Sequence, residues 1–414
     1  MPVARNAPGL SRDFIAFLPL VNRIGVAVSG GGDSIALLHL LIEAVDGPAP
    51  EIRVASVDHG LRDGSAVECA TVAKTCARLG IAHETLRWDR DAAASGNLQA
   101  QAREARFALL ADWARRHDIG QVALGHTLDD QAETVLMRLA RGAGVDGLSG
   151  IPAQVSRGGV QFLRPMLHLR RHDLRDWLLG RGIGWTDDPS NDDPAFDRVR
   201  VRQALGVLGP LGVTPEALSA VAGNMADARR ALDRDLRATA ARIVAVQGGD
   251  LLIARAGFVD LAREQARRLA VAALRYVSGA ATGPRRSEQE EIVAAMRLAR
   301  KATLSGCIVT ADGAEIRVAR EPAATVETVA APDTLWDGRW RIDGPFAPGR
   351  TIRALGEGIR DCPDWRATGL PRASVMASPA AWQGDTLLAA PVAGLENGWT
   401  ARIVADFHLW LESH

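Results

Sequence analysis

The chain has 414 residues, which is too long for one ordinary domain, so two or three domains are expected. Hydrophobic residues make up 47% and charged residues 24%, a globular composition that excludes a largely disordered chain. The formal net charge of +0 excludes a polycation, so any nucleic-acid surface must be a local patch, and arginine would supply it, because lysine occurs only at Lys74 and Lys301.

The first part of the sequence alternates apolar strand patterns with helical patterns. Strands are predicted at 23–29, 52–57, 82–86 and 121–124, and helices at 33–45, 65–79, 98–117 and 128–140. Strands separated by helices are typical of a parallel, doubly wound sheet. Such sheets bind ligands beyond the carboxyl ends of their strands, and the search for a site starts there.

After about residue 150 the pattern changes. It predicts a hairpin at 154–163, a short helix at 171–181, an acidic loop at 187–197, a helical region at 215–300, two strands at 302–319 turning at Asp312-Gly313, and a linker at 321–333. The remainder contains Gly, Pro and Trp among short apolar runs and predicts strands. We therefore expect an α/β domain at 1–210, a mainly helical domain at 211–325 and a small mixed α/β domain at 334–414.

Residues 29–34, S-G-G-G-D-S, lie between the first predicted strand and the first predicted helix; we call them the phosphate loop. Consecutive glycines let backbone N–H groups approach an anion, and the helix start adds unpaired N–H groups. Ser29 and Ser34 can donate hydroxyl hydrogen bonds, whereas Asp33 suits a helix cap or a Mg²⁺ ligand. The loop is not a Walker A motif, and a glycine-rich turn without a ligand is the alternative.

An acidic cluster follows the fourth predicted strand, in G-H-T-L-D-D-Q-A-E-T at 125–134. Asp129, Asp130 and Glu133 lie off the apolar face of the predicted helix, and His126 precedes it. Acidic residues are common in the first turn of any helix, which is one reading of the cluster. The other is a site for Mg²⁺ or a cationic substrate, in which a carboxylate or His126 takes a proton.

The phosphate loop and the apolar residues 35–41 after it resemble the PP-loop of the ATP-pyrophosphatases, in which ATP reacts at its α-phosphate and pyrophosphate is released. Further motifs narrow the resemblance. They are D-H-G-L-R at 58–62, N-L-Q-A-Q-A-R-E-A-R at 97–106, the acidic motif at 125–134, R-G-A-G-V-D-G-L-S-G-I-P at 141–152, R-P-M-L at 164–167 and W-T-D-D-P-S-N at 185–191. This series closely resembles the bacterial tRNA(Ile)-lysidine synthetases, most densely over 24–202.

The resemblance implies a ligase that joins free L-lysine to C2 of the wobble cytidine of tRNA(Ile) with a CAU anticodon, through an adenylylated cytidine, releasing pyrophosphate and AMP. It implies ATP and Mg²⁺ as cofactors and permits a homodimer. Residues 1–210 would then be a PP-loop adenylylation domain and 211–325 a tRNA-binding domain. Arginines are frequent at 215–300, where solvated surface and RNA phosphate contacts both remain open.

The resemblance and the residue chemistry together indicate the site. The predicted catalytic residues are Asp130, Glu133 and His126. The predicted ATP-binding residues are Ser29, Gly30, Gly31, Gly32, Asp33, Ser34, Asp58, His59, Arg103 and Gly125. The predicted lysine-binding residues are Asp130, Glu133 and Arg106, and the predicted metal ligands are Asp33 and Asp129. Where many family members have Arg-Asn, this chain has Arg198-Val199, so no role for that asparagine carries over.

Other classes stay open at this point. A tRNA thiolase usually uses C-x-x-C cysteines, whereas Cys69, Cys76, Cys307 and Cys362 form no such motif. An amidating ligase would usually carry a glutaminase motif, and a tRNA-binding protein with an inactive loop is a third class. We predict a cytoplasmic protein with no membrane partner. Three observations support this prediction: the cysteine pattern, the lack of a signal pattern, and the lack of an apolar run long enough to span a bilayer.

Overall fold

The computed structural model describes residues 9, 15, 21–44, 50–60, 64–89, 98–186, 197–331 and 334–413. The chain divides into two compact units, Met1–Arg229 and Arg230–His414. The predicted boundaries at 1–210, 211–325 and 334–414 remain predictions. The predicted acidic loop at 187–197, together with most of the W-T-D-D-P-S-N motif, lies outside the described residues up to residue 196.

The first unit is built on a mainly parallel sheet. Its strands are β1 (Arg23–Ala27), β2 (Glu51–Asp58), β3 (Ala82–Arg87), β4 (Gln121–Leu124), β5 (Gln154–Arg157) and β6 (Val160–Leu163). They are ordered β3-β2-β1-β4-β6-β5, and β5 pairs antiparallel with β6 as the predicted hairpin. The other pairings are parallel. The doubly wound α/β fold is confirmed.

Helices cover both faces of this sheet. The helices of this unit are α1 (Gly32–Ala44), α2 (Gly64–Leu79), α3 (Leu98–Arg116), α4 (Leu128–Ala140), α5 (Val145–Leu148), α6 (Arg171–Leu179) and α7 (Asp197–Leu208), and α8 (Pro215–Ile243) begins in this unit and extends past its last residue, Arg229. Side chains alternate along β1, so Ile24 and Val26 pack with α1, whereas Ala27 belongs to the opposite core with Trp113 of α3. Both cores are apolar, which fixes the sheet between two helix layers and leaves its carboxyl edge for a site.

The helical region predicted at 215–300 is present, but it contains two strands that were not predicted. Strands β7 (Val244–Gln247) and β8 (Asp250–Ala254) form a hairpin inside it. Gly248 and Gly249 turn the chain with φ of 56° and 91°, a left-handed pair that glycine adopts without strain. The alanine-rich composition of the neighbouring helices concealed this turn.

The second unit contains antiparallel sheets and helices. Its helices are α9 (Arg255–Val259), α10 (Arg263–Ser278), α11 (Arg286–Arg297), α12 (Arg372–Met376) and α13 (Phe407–Ser413). Its remaining strands are β9 (Ala302–Leu304), β10 (Cys307–Ala311), β11 (Glu315–Arg320), β12 (Val329–Ala330), β13 (Trp340–Asp343), β14 (Arg350–Ala354), β15 (Pro379–Gln383), β16 (Thr386–Ala389) and β17 (Thr400–Ile403). The sheets are ordered β7-β8-β11-β10-β9, β12-β14-β15-β16 and β13-β17.

Two predictions about this unit have different outcomes. The turn at Asp312-Gly313 is confirmed, because β10 and β11 pair across it. The linker predicted at 321–333 was wrong over its described part, since Pro322–Thr325 forms a 3-10 helix and β12 pairs with β14. Thr325 and Ala330 are buried there, and small residues in tight packing had resembled an unpatterned linker.

No single helix in the described part of the chain is long and apolar enough to cross a membrane. Helices Asp197–Leu211 and Pro215–Ile243 meet that length and composition only as a pair, and they are bent by 96° at the break between them.

Candidate active site

The phosphate loop leaves β1 and enters α1 in a conformation held by its own serines. The Ser34 hydroxyl accepts a hydrogen bond from the Ser29 backbone N–H at 3.1 Å and lies 2.9 Å from the Gly31 carbonyl, to which it donates. Gly30 has φ of +91°, a left-handed conformation that disfavours any side chain. The loop is thus a closed turn at the start of a helix, which is the geometry of an anion site.

Neighbouring segments clamp this loop from two sides. A Cβ on Gly125 would lie 3.0 Å from Ser34 Cα and 3.1 Å from the Asp33 carbonyl oxygen, so the chain after β4 touches the loop backbone directly. On the other side the Thr186 N–H donates to the Gly30 carbonyl at 2.9 Å. The predicted residue Gly125 therefore acts through close backbone approach.

A cavity of about 400 Å³ lies on one side of the loop, and we call it the apolar cavity. It is lined by Ala27, Val28, Ser29, Gly31, Ala55, Val57, His59, Ser65, Glu68, Cys69, Ala102, Arg103, Arg106, Phe107, Leu124, His126 and Thr186. Aliphatic, aromatic and small side chains such as Val57, Phe107 and Leu124 form the apolar part of this lining, and polar and charged side chains form the rest. Apolar surface combined with placed polar groups is typical of a small-molecule site.

The predicted residue Asp58 has a different place. Its Oδ1 accepts the Gly60 N–H at 3.1 Å, and hydrogen bonds from Ser65 and Gly60 lower the pKa of its carboxyl. Asp58 therefore shapes the turn after β2, whereas its neighbour His59 lines the cavity. Leu61 and Arg62 of the same motif lie outside the described residues.

A second cavity, of about 550 Å³, lies on the other side of the loop, and we call it the charged cavity. It is lined by Ala27, Ser29, Gly31, Gly32, Asp33, Ser34, Arg106, Gly125, His126, Asp130, Arg171, Arg175, Thr186, Arg198 and Arg202. Ser29, Gly31, Arg106 and His126 belong to both linings. The two cavities therefore adjoin, with the phosphate loop in their common wall.

Arg171, the first residue of α6, organises the predicted carboxylates. Its Nε donates to Asp33 Oδ2 at 2.8 Å, its Nη2 to Asp130 Oδ1 at 3.1 Å and its Nη1 to Glu133 Oε1 at 3.2 Å. Its own N–H donates to Asp129 Oδ2 at 2.7 Å. Although burial opposes its charge, the carboxylates, Asp130 foremost, raise the pKa of Arg171 above its ordinary value. One guanidinium thus joins side chains from α1 and α4.

Both carboxylate oxygens of Asp130 are engaged. Its Oδ2 accepts the backbone N–H and the hydroxyl of Thr127, at 2.8 and 2.9 Å, in a capping box at the start of α4. Burial would raise the pKa of this carboxyl, but the charge of Arg171 and the Thr127 hydrogen bond hold it below the ordinary value. Asp130 therefore stays ionised and fixed in position.

Two buried carboxylate oxygens have no hydrogen-bond partner among the described residues: Asp33 Oδ1 and Glu133 Oε2. Burial is the main cause that raises the pKa of Asp33, although Arg171 counters it. Glu133 is 1% exposed, and its Oε2 lies 3.9 Å from Arg198 Nε. A buried acceptor without a donor is costly, so these two oxygens are the ones prepared for a cationic ligand.

The wall of the charged cavity is nevertheless rich in positive charge. Five arginines line it, against the carboxylates of Asp33 and Asp130. Residues 125–134 alone indicate an acidic site, whereas the structure places a guanidinium on each predicted carboxylate. The cavity therefore suits phosphate or carboxylate groups as well as a cation.

The predicted metal ligands Asp33 and Asp129 meet through Arg171 rather than directly. Asp129 accepts the Arg171 N–H and lies 3.5 Å from Arg170 Nη2. The described residues contain no group of three or more His, Cys, Asp or Glu side chains able to hold a metal ion. Mg²⁺ commonly needs only one or two carboxylates when phosphates supply further oxygens, and the partnerless Asp33 Oδ1 fits that use.

His126 lies in the common wall of the two cavities. Its Nδ1 accepts a hydrogen bond from Arg164 Nε at 3.2 Å. Burial and the neighbouring arginines, Arg164 foremost among them, lower the pKa of His126 to about 3 against the opposing charge of Asp130. The ring is therefore neutral at physiological pH.

Arg103 and Arg106 were predicted from the sequence and line the cavities, but other arginines at the site were missed. Arg171, Arg164 and Arg202 are each distant in sequence from the groups they bind, so no local spacing indicates them. Only Arg164 stood in a quoted motif, R-P-M-L. Val199, at the position of the family asparagine, is buried on α7 at 6% exposure and packs as an apolar residue.

The cysteines offer no reactive thiolate in the described part of the chain. All four are free and buried. Cys69 lines the apolar cavity, but burial raises the pKa of its thiol to about 11, and the same cause raises that of Cys76 to about 11. A nucleophilic cysteine is activated by a lowered pKa, and burial shifts the pKa of these two thiols in the opposite direction.

Several known proteins are similar to this chain. A family model described as the PP-loop domain matches residues 12–208. A tRNA(Ile)-lysidine synthase of Ruegeria pomeroyi is 48% identical over 397 residues, which cover 95% of this chain and 94% of that protein. One of Mesorhizobium japonicum is 39% identical over 355 residues, or 81% of this chain and 75% of that protein. Among solved structures, the U34-tRNA thiolase NcsA from Methanococcus maripaludis is 18% identical, with a TM-score of 0.44, over 52% of this chain and 75% of that one.

Proposed function

The chain belongs to the tRNA(Ile)-lysidine synthase family, and we propose that it uses ATP to join free L-lysine to C2 of the wobble cytidine in tRNA(Ile) with a CAU anticodon. The observation that carries the proposal is the pair of adjoining cavities with the phosphate loop in their common wall. Two successive reactions at one nucleoside need one cavity for ATP and a second, adjoining cavity for the amine.

The apolar cavity suits the adenosine of ATP. Val57 and Phe107 supply contact area for the base, and His59 and Arg103 supply polar contacts at its edge. The α-phosphate would then lie at the common wall, against the loop N–H groups and Arg106. The cytidine O2 attacks the α-phosphorus there, the bond to the β-phosphate breaks, and pyrophosphate leaves toward the arginines of the charged cavity.

We propose Mg²⁺ as the second cofactor. Asp33 would hold it through Oδ1, a buried oxygen that has no hydrogen-bond partner in the part of the chain that the structure describes, and Asp129 is the second candidate. When bound, the ion would neutralise phosphate charge and so favour departure of pyrophosphate. Arg171 keeps the Asp33 carboxylate in place by binding its other oxygen.

The charged cavity suits free lysine, whose two ends have opposite charge. Arg106 and the α7 arginines are donors for its carboxylate. Glu133 and Asp130 would hold the ε-ammonium. Because Glu133 Oε2 is the oxygen without a partner, whereas both Asp130 oxygens are engaged, Glu133 is the better acceptor for the proton that the amine must lose. The amine then attacks C2, the C2–O bond breaks, and AMP leaves with the oxygen.

The tRNA would contact arginines outside the cavities as well. Arg263 and Arg286 of the second unit are largely exposed and could contact phosphate, although both pair with Glu290. Cytoplasmic location and a homodimer are parts of the same proposal, supported by the family alone.

Labelled lysine tests the proposal directly. The protein is incubated with ATP, Mg²⁺, labelled free lysine and tRNA(Ile) with a CAU anticodon, and with the same tRNA carrying uridine at the wobble position. Label should enter only the first tRNA, with one AMP released per lysine. Transfer of sulfur in place of lysine would support the alternative, a tRNA thiolase, and label in both tRNAs would remove the wobble cytidine as the acceptor.

A further inference from the structure

We infer that Arg164 is a positioning residue that fixes His126 as a neutral ring with its proton on Nε2, so that His126 donates a hydrogen bond at the common wall of the cavities and does not act as a base. The inference rests on the proposed function for its chemical meaning. Its structural content, the tautomer, is independent of that function.

The sheet brings the two side chains together. Strands β4 and β6 are adjacent and parallel, and His126 and Arg164 follow their carboxyl ends. Arg164 is 5% exposed and held at two further points: its Nη1 donates to the Pro152 carbonyl at 2.8 Å, and its backbone N–H to the Ala153 carbonyl at 2.8 Å. The guanidinium that meets His126 is therefore rigidly placed.

The direction of the hydrogen bond decides the tautomer. A guanidinium has donors and no acceptor, so the Nδ1 atom that faces Arg164 Nε at 3.2 Å must carry a lone pair. A neutral imidazole with a lone pair on Nδ1 carries its proton on Nε2. Protonating Nδ1 would set two donors against each other, and Arg103 and Arg106 add further positive charge, with Asp130 as the opposing carboxylate.

A fixed donor in the common wall has a clear use. His126 lines both cavities, so its Nε2–H is available to an oxygen that gains negative charge during either reaction: a non-bridging oxygen of the α-phosphate or the cytidine oxygen that departs with AMP. A proton acceptor would need an unprotonated Nε2, which the contact with Arg164 removes. The base must then be another group, and we take Glu133, whose buried Oε2 has no hydrogen-bond partner among the described residues.

Two isosteric variants separate a donor from a base. His126→Gln places an amide N–H near the position of Nε2, whereas His126→Asn places its amide near Nδ1, and neither titrates. As a donor site, His126→Gln should keep lysine transfer within about tenfold of the parent protein, and His126→Asn should lose about 100-fold or more in kcat. Equal, severe losses in both variants would overturn the donor role.

Nitrogen-15 NMR of labelled histidine reads the tautomer without any turnover. Between pH 6 and 8 the His126 signals should show a protonated Nε2, an unprotonated Nδ1 and no titration. In Arg164→Met this pattern should change to mixed tautomers, whereas Arg116→Met, which removes an exposed arginine paired with Glu84, should leave it intact. A ring that is charged or protonated on Nδ1 at pH 7 in the parent protein would overturn the inference.

The outcomes of the two tests stay separable. If the parent protein transfers no lysine, the proposed function fails while the NMR signals still decide the tautomer. If Arg164→Met does not fold, the His126 variants and the parent spectrum carry the test. If lysine transfer is normal but His126→Asn equals His126→Gln in activity, the proposed function stands and the donor role falls.

Discussion

The two cavities that meet at the phosphate loop differ in what makes them. The apolar cavity is formed by side chains that also belong to the core of the sheet, such as Ala27, Phe107 and Leu124. The charged cavity depends on ion pairs between distant segments, above all those of Arg171 with Asp33, Asp130 and Glu133. The shape of the apolar cavity therefore follows from the folding of the sheet. The charged cavity keeps its shape only while the charges of its arginines and carboxylates are balanced. Substitutions in the two should therefore have different consequences.

The largest effect is expected at Glu133, whose buried Oε2 has no hydrogen-bond partner among the described residues. Glu133→Gln keeps the shape of the side chain but removes the charge and the proton acceptor, so lysine transfer should fall by at least about 100-fold. ATP-dependent labelling of the tRNA should continue. Glu104→Gln, an exposed acid paired with Arg157 on the same domain, should leave transfer unchanged. Retained transfer in Glu133→Gln would end its role as the acceptor.

The second-largest effect is expected on protein stability, when the ion pairs of the charged cavity are broken. Arg171→Met leaves three mostly buried carboxylates without their shared partner, which should lower the free energy of unfolding by about 3–5 kcal/mol. Arg181→Met, which breaks a half-exposed pair with Glu43, should cost about 1 kcal/mol or less. Chemical denaturation measures both, and equal losses would contradict the charge-dependent construction of this cavity.

A smaller effect tests the common wall. Gly125→Ala puts a methyl group within 3.0 Å of the Ser34 backbone, which should displace the loop and raise the KM for ATP by about tenfold. Gly120→Ala, before β4, meets nothing within 4 Å and serves as the matched control. Steady-state kinetics over a range of ATP concentrations would show the difference. An unchanged KM in both variants would mean that Gly125 has no role in nucleotide binding.

The smallest effect is expected in the apolar cavity. Phe107→Leu removes an aromatic surface and its edge contact with Phe162, whose ring centre lies 4.9 Å away, so the KM for ATP should rise about threefold. The kcat for lysine transfer should hardly change. Phe258→Leu, in the second unit, provides a comparable loss of core packing without a change in KM. A kcat effect at Phe107 would mean that this cavity takes part in the second reaction.

The sheet and its first cavity could be predicted because their signals are local. Alternating apolar strands and amphipathic helices gave β4 and α4 at their observed bounds, and the glycines and serines of the phosphate loop lie within six residues. The carboxyl ends of the strands of a parallel sheet lie at one edge. The sequence could therefore also place His126, Asp130 and Glu133 near the loop.

Arg164, Arg171 and Arg202 could not be predicted as site residues, because their partners lie far away in sequence. Arg171 pairs with Asp33 and with α4 across 138 and 38 residues, and nothing in the local pattern distinguishes it from Arg170 or Arg181. The hairpin of β7 and β8 was not predicted for another reason. Its strands are short, and helix propensity does not detect a left-handed Gly248-Gly249 turn. The contacts of the arginines depend on long-range pairing, and the hairpin depends on turn geometry. Neither can be predicted from composition.

One pulse–chase measurement tests the division of labour between the cavities most directly. The protein is given ATP labelled at the α-phosphate, Mg²⁺ and tRNA(Ile) without lysine, and unlabelled ATP with lysine is added afterwards. Label should enter the tRNA in the first stage, with release of pyrophosphate, and leave as AMP in the second. Release of labelled AMP only when lysine is present from the start, with no labelled tRNA before it, would contradict two successive reactions at adjoining cavities.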